Sequence, residues 1–227
     1  IDRVHSELSL GVTYQLLGDW REALKIFNNS LVKYINFREY KSVALTLKMI
    51  GMIHSDQGNY EEAMKFYNQS LKIEEEFGGD SAPAQTLQLM GMIRHGQGNY
   101  NEAMRLYNQS LDLSKKSGNK EAIAHTMYTL GNLNQDQGNY KTAINLYNQS
   151  LKVSKELENK NGIAQVLHSL GMLYQRQGNI EESIEHYGQS VEIYRELGNK
   201  SGIAHTLNYL GKIHFHQGNC TEAIKLY

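Results

Sequence analysis

Proline, cysteine and tryptophan each occur only once in this chain of 227 residues, and no apolar run approaches the length of a membrane span. The single cysteine, Cys220, excludes an internal disulfide bond and a cysteine metal cluster. The 23 basic and 24 acidic residues nearly cancel, which is not typical of a basic protein that coats nucleic acid or of an acidic disordered tail. We therefore predict no nucleic-acid partner and no membrane partner, and we expect a cytoplasmic protein.

Glycine, in contrast, recurs at two places in a period of 40 residues. The first column is Gly11, Gly51, Gly91, Gly131, Gly171 and Gly211, and the second is Gly18, Gly58, Gly98, Gly138, Gly178 and Gly218. A fixed period of this length indicates a repeat array and overrides the one or two globular domains that length alone suggests. We predict a single array over residues 1–227, with repeats at 1–38, 39–78, 79–118, 119–158, 159–198 and 199–227, the last of them truncated.

Each repeat is predicted to contain two helices. In the second repeat Leu47, Ile50 and Gly51 share one face of a helix, which should end at Gly58 because glycine favours that position. A second helix follows, with Tyr67 on its apolar face, and runs to about residue 77. No segment alternates polar and apolar residues long enough to indicate a strand, so the fold class is all-α.

Glycine inside a helix costs about 0.5–1 kcal/mol relative to alanine, so its recurrence there predicts close packing of the two helices. We expect Ala63 and its equivalents on the second helix to provide the matching small surface. A serine column, which includes Ser70 and Ser110, should donate its hydroxyl to a carbonyl one turn back in the same helix.

The residues then match a known family. Leu130-Gly131, Gly138-Asn139-Tyr140, Ala143 and Tyr147 resemble the tetratricopeptide repeat, and the same pattern recurs in register along the whole chain. The usual repeat has 34 residues, so this sequence is similar to the longer-helix arrays of kinesin light chain and LGN. The resemblance implies an α-solenoid of stacked antiparallel helix hairpins that forms a right-handed superhelix, with the first helices on its concave wall.

The wall positions should lie opposite the buried stripe of each first helix. Helical spacing selects as the peptide-binding groove Lys48, Met52, Gln85, Gln88, Met92, His125, Tyr128, Asn132, Gln135, Gln165, His168, Met172, Gln175, Arg176, His205, Asn208 and Lys212. Amide, imidazole and thioether groups suit a peptide or a helix that needs hydrogen-bond partners and adaptable apolar contacts. The alternative is that these side chains form an ordinary solvated helix surface.

The chaperone-tail-binding members of the family use a lysine followed four residues later by asparagine. Here Lys48 is followed by Met52, and the positions equivalent to Lys48 in the next two repeats are Gln88 and Tyr128, so that clamp is absent. An acidic C-terminal peptide is therefore not the first choice of ligand.

No catalytic constellation or phosphate-binding loop occurs, and the histidines lack the spacing of a metal site. We therefore predict a protein that is not an enzyme, with no catalytic residue, no metal and no cofactor. The first hypothesis is a scaffold that binds a protein or peptide in the concave groove. The second is a structural or self-assembling array that uses its ends or its convex face. Ile1, Val4 and Leu8 at one end favour end-to-end contacts between copies.

Overall fold

The structure is a computed structural model that describes residues 2–79 and 82–227, with side chains described from residue 6 onward. Ile1 and the side chain of Val4, which the sequence placed at an exposed end, lie outside the described part. Within that part the chain forms twelve α-helices and no strand, which confirms the all-α prediction. The helices are α1 (Asp2–Leu16), α2 (Trp20–Asn36), α3 (Tyr40–Asp56), α4 (Tyr60–Phe77), α5 (Pro83–Gly96), α6 (Tyr100–Lys116), α7 (Lys120–Asp136), α8 (Tyr140–Glu156), α9 (Lys160–Arg176), α10 (Ile180–Glu196), α11 (Lys200–His216) and α12 (Cys220–Leu226).

Consecutive helices pair as hairpins, and the hairpins form two compact halves, Ile1–Gly118 and Asn119–Tyr227. In the N-terminal half, α2 packs on α3 and α4 packs on α5, so each hairpin stacks on the next. In the C-terminal half, α8 packs on α9 and α10 packs on α11 in the same way. Each half is therefore an α-solenoid of stacked helix hairpins, as predicted. None of the helices described is both long enough and apolar enough to cross a membrane.

The turn inside each hairpin depends on glycine in a left-handed conformation. Gly58 has φ +77°. The chain then reverses so sharply that the backbone N–H of Asn59 donates to the carbonyl of His54 at 2.8 Å. Between hairpins the equivalent left-handed residue is glycine at Gly118 and Gly198, but Glu158 takes this position with φ 54°. A side chain in that conformation is strained, which makes Glu158 a weak point of the turn.

An aromatic ring fills the space beside each glycine of the column that runs from Gly11 to Gly211. A Cβ atom added to Gly131 would lie 2.5 Å from Cε1 of Tyr147, and one added to Gly51 would lie 2.6 Å from Cε1 of Tyr67. The close approach predicted from the glycines is therefore confirmed. Ala63 is buried and contributes to the contact, since its carbonyl oxygen would lie 3.3 Å from the Cβ added to Gly51, but the nearest atoms belong to the tyrosine ring, which the sequence analysis did not anticipate.

The serine column ties the two helices of a hairpin together. Ser70 Oγ donates to the carbonyl of Ala44 at 2.9 Å, and Ser150 Oγ donates to the carbonyl of Ala124 at 2.8 Å. The expected bond to a carbonyl one turn back was therefore wrong, because these hydroxyls reach across to the first helix, 26 residues earlier. Helical spacing places the serine on the buried face but does not reveal the neighbouring backbone.

Candidate binding face

The predicted wall positions divide into three groups by exposure. Exposed are Met52, Gln85, Met92, His125, Gln165, Arg176, His205, Asn208 and Lys212. Half-buried are Tyr128, Asn132, His168, Met172 and Gln175, and buried are Lys48, Gln88 and Gln135. α3 and α5 provide these residues in the N-terminal half, and α7, α9 and α11 provide them in the C-terminal half. We call the set in the C-terminal half the first-helix face; its members are His125, Tyr128, Asn132, Gln135, Gln165, His168, Met172, Gln175, Arg176, His205, Asn208 and Lys212.

The sequence suggested that Lys48 is an accessible charge of the groove, but the structure shows that it is buried and paired. Its side chain is 11% exposed, and Nζ lies 2.9 Å from Oε1 of Glu74, whose side chain is 5% exposed. Lys48 Nζ also donates to Oε1 of Gln85 at 3.2 Å, and Thr86 Oγ1 donates to Glu74 Oε2 at 2.6 Å. The lysine therefore neutralises a buried carboxylate and joins the second hairpin to the third. Gln88, at the equivalent position of the next repeat, is 8% exposed and is also occupied within the fold.

Gln135 is likewise buried, at 7% exposure, because it packs over the hydroxyl of Tyr147. Tyr147 Oη donates to Oδ1 of Asn132 at 2.6 Å and points toward Oε1 of Gln135 at 3.2 Å. Burial raises the pKa of Tyr147 well above its ordinary value, so its hydroxyl keeps the proton that it donates. Tyr187 Oη approaches Oε1 of Gln175 in the same way at 3.3 Å. Buried tyrosines thus hold the carboxamide oxygens from behind.

Tyr128 and His168 connect neighbouring first helices. The Oη of Tyr128 lies 3.3 Å from Oγ of Ser169, which joins α7 to α9. The Nδ1 of His168 lies 3.0 Å from Oγ1 of Thr206, which joins α9 to α11. These two residues therefore have one side in an inter-helix contact and the other side half-exposed.

His168 belongs to a cluster of three rings in the C-terminal half. Its centroid lies 5.3 Å from that of Tyr187 and 5.3 Å from that of Tyr209, and the two tyrosine centroids are 5.6 Å apart. Lys212 extends over the Tyr209 ring, with Nζ 5.3 Å from the centroid. Burial, and secondarily the nearby His205, lower the pKa of His168 below its ordinary value, so the ring is neutral at pH 7.

The charge on this part of the surface is small and mixed. In the C-terminal half Arg176, Lys212 and Asp136 are exposed. Among the described residues no three histidine, cysteine or carboxylate side chains lie together as a metal-binding group. The site offers hydrogen bonds and apolar contacts, and it does not offer a strong field.

The tyrosines that support the face are not among the residues predicted from helical spacing. They stand 12 residues after the wall position that Gln135 and Gln175 occupy, and they repeat every 40 residues as Tyr67, Tyr107, Tyr147 and Tyr187. That spacing was visible, but it was interpreted only as the apolar face of the second helix. The hydroxyl reaches the wall because the glycine opposite lets the ring lie flat against the first helix.

The comparisons identify the family. The tetratricopeptide repeat model matches residues 2–76, 82–156 and 162–227. The chain therefore belongs to the tetratricopeptide repeat family, as its glycine and tyrosine columns indicated. No curated protein matches the sequence significantly.

Several solved structures share the fold. A Rap protein complexed with competence and sporulation factor has a TM-score of 0.82 at 14% identity, over 98% of this chain and 62% of that one. The Rap conjugation gene regulator of plasmid pLS20, in complex with the Phr* peptide, has a TM-score of 0.79 at 15% identity, over 98% of this chain and 61% of that one. Nearly identical TPR-like repeats from Podosopora anserina, described as kinesin light chain, have a TM-score of 0.65 at 18% identity, over 87% of this chain and 98% of that one. These likenesses show the fold alone, and this chain spans about three fifths of the two Rap chains.

Proposed function

We propose that the chain is a non-enzymatic protein-interaction scaffold that binds a peptide or a helix segment on the first-helix face. The observation that carries this proposal is the tyrosine-supported set of accessible polar groups in the C-terminal half. Asn132, His168 and Gln175 are each held on one side by a buried partner and are open on the other. Ordinary solvated helix surface does not need such support, because water satisfies its side chains.

The charges indicate what kind of segment fits. Because Lys48 is paired with Glu74, the exposed charges of the predicted wall are few and of both signs. A nearly neutral surface gives little electrostatic steering, so affinity should come from hydrogen bonds and from apolar anchors. Met92 in the N-terminal half and Met172 in the C-terminal half provide adaptable apolar contacts. We expect moderate affinity and a weak dependence on salt.

The known relatives are consistent with this class of ligand. Two of the structurally similar proteins are solved with a peptide or a named factor bound, and both share this fold over 98% of the present chain. Their ligands suggest a peptide as the first probe for this protein.

The test is selection of peptides from a displayed random library on the wild-type protein, followed by affinity measurements with variants. We expect Asn132→Ala with Met172→Ala to weaken the selected peptides about tenfold or more. The matched control is Gln149→Ala with Glu192→Ala, two exposed positions on second helices. Circular dichroism confirms that both variants are folded. Unchanged affinity in the first variant, or an equal loss in the control, would place the binding site elsewhere.

One observation favours the second candidate, a self-assembling or structural array. Val32 and Ile35 on α2 are 59% and 54% exposed. The equivalent positions of the four following repeats are also exposed, but they are Lys72 and Glu75, Asp112 and Lys115, Lys152 and Lys155, and Glu192 and Arg195. The exposure therefore comes from the geometry of the repeat, whereas the apolar character is particular to the first hairpin. Such a patch suits contact with another protein surface.

Sedimentation velocity over a concentration series distinguishes this candidate. A self-associating chain should lose its larger species when Val32→Lys and Ile35→Glu restore the residues of the second repeat. If the wild type sediments as a monomer throughout the series, the array hypothesis fails and the scaffold hypothesis is unaffected.

A further inference from the structure

The hydroxyl of Thr206 lies beside Nδ1 of His168 and bears on which ring nitrogen carries the proton. A threonine hydroxyl has one proton to donate, and Thr206 Oγ1 donates it to the carbonyl of Gly202 at 2.8 Å. Toward His168 the hydroxyl can therefore act only as an acceptor. With the Nδ1 of His168, 3.0 Å away, as the donor in that contact, all three groups are satisfied. In the neutral ring this leaves Nε2 without a proton and with its lone pair available.

The Nε2 atom is open to a ligand. It has no hydrogen-bond partner among the described residues, and it is not one of their buried, unsatisfied atoms, so it reaches solvent. The packing of the ring between Tyr187 and Tyr209 limits its rotation. The acceptor is therefore fixed in both position and direction.

Asn132 provides the opposite polarity on the neighbouring helix. Its Oδ1 accepts the proton of Tyr147, so the amide Nδ2 is directed away from that bond and has no partner among the described residues. A donor on α7 and an acceptor on α9 thus stand on one face.

We propose that His168 Nε2 accepts a hydrogen bond from a backbone N–H of a bound peptide, while Asn132 Nδ2 donates to a backbone carbonyl, and that Thr206 and Tyr147 act as positioning residues that fix this polarity. The proposal rests on the function proposed above and specifies its chemistry. A peptide backbone presents both an N–H and a C=O, so it matches the pair, whereas a ligand with acceptors only leaves His168 Nε2 unsatisfied.

The first arm of the test needs no ligand. Long-range nitrogen–proton NMR of the histidine ring at pH 7.5 should show His168 protonated at Nδ1. Thr206→Val removes the acceptor at similar volume and should shift the ring toward the Nε2-protonated form, while Thr206→Ser should preserve the wild-type tautomer. Protonation at Nε2 in the wild-type protein would overturn the proposal whatever peptides do.

The second arm uses the tightest peptide from the library selection and a series of its analogues, each with one backbone nitrogen methylated. One analogue should bind wild-type protein about fivefold to tenfold more weakly, and that loss should be absent in His168→Phe. Thr206→Val should lose the same factor, although it does not touch the peptide, and Thr206→Ser should recover it. Equal losses for every analogue in wild type and His168→Phe would refute the hydrogen bond. If no peptide is selected, the proposed function fails, and the ligand contact proposed for His168 fails with it, while the tautomer result still stands.

Acidification provides an independent check. Protonation of Nε2 abolishes the acceptor, so affinity for the same peptide should fall as the pH drops through the lowered pKa of His168. The titratable and charged groups around the ring are Tyr187 from α10 and His205, Tyr209 and Lys212 from α11. His205→Gln removes the neighbouring imidazole and should leave the fall in place, whereas His168→Phe should remove it.

Discussion

The glycine–tyrosine contact gives a prediction that reverses the usual effect of a substitution. Replacing glycine by alanine inside a helix normally stabilises a protein by about 1 kcal/mol, because alanine has the higher helix propensity. At Gly131 the new Cβ would lie 2.5 Å from Cε1 and 2.6 Å from Cδ1 of Tyr147. That ring is fully buried and its hydroxyl is bonded to Asn132, so it has little room to shift.

We therefore expect Gly131→Ala to destabilise the C-terminal half by about 1–3 kcal/mol, as overpacking does in other cores. The matched control is Gly188→Ala in the interior of α10, where an added Cβ would meet nothing within 4 Å. That variant should gain about 0.5–1 kcal/mol. Urea unfolding followed by circular dichroism measures both, with midpoints compared because a repeat array need not unfold in one step.

A double-mutant cycle then tests the cause. In a Tyr147→Leu background the ring is gone, so Gly131→Ala should cost much less than in the wild type. If Gly131→Ala stabilises the wild-type protein as much as Gly188→Ala does, the ring is free to move and the reasoning is wrong.

Three other predictions concern a backbone conformation, a buried ion pair and a histidine. Glu158→Gly should stabilise by about 1 kcal/mol in thermal unfolding, because it relieves a left-handed side chain; a loss would show that the Glu158 side chain makes a compensating contact. Lys48→Ala should cost about 3 kcal/mol by leaving Glu74 buried without its partner, and a loss no larger than that of the exposed Lys72→Ala would contradict the pairing. The pKa of His168 is lowered on folding, so the unfolded chain takes up its proton first, and stability should fall as the pH drops below about 6.5. His168→Phe should reduce that fall, and an unchanged pH profile would assign it to other groups.

The repeat and its helices could be predicted from the sequence because they depend on local spacing. Glycine columns 40 residues apart and apolar residues three and four apart define the hairpins and their family without knowledge of any neighbour. The prediction that the helix ends at Gly58 is confirmed, because the tolerance of glycine for positive φ is a property of the residue itself.

The binding face was predicted less well, because helical spacing gives the angle of a side chain but not what lies beyond it. Helical spacing assigns Lys48 to the groove, but its ammonium group pairs with the carboxylate of Glu74 on the second helix of the same hairpin. Gln135 is buried whereas Gln175, at the same position of the next repeat, is half-buried. His168 contacts Thr206, 38 residues away on the next first helix. Such partners come from the stacking of hairpins, which no single repeat specifies.

The serine bonds described above have a consequence for the way the chain folds. Each spans 26 residues, and the side-chain bonds between the first helices of neighbouring hairpins span 37 to 41. Such short separations give a low contact order, so the entropy lost in closing each loop is small and folding should be rapid. A hairpin can form its serine–carbonyl hydrogen bond as soon as its second helix has emerged from the ribosome, before the following hairpin is synthesised. Unfolding in turn should begin at a terminal hairpin and proceed along the array.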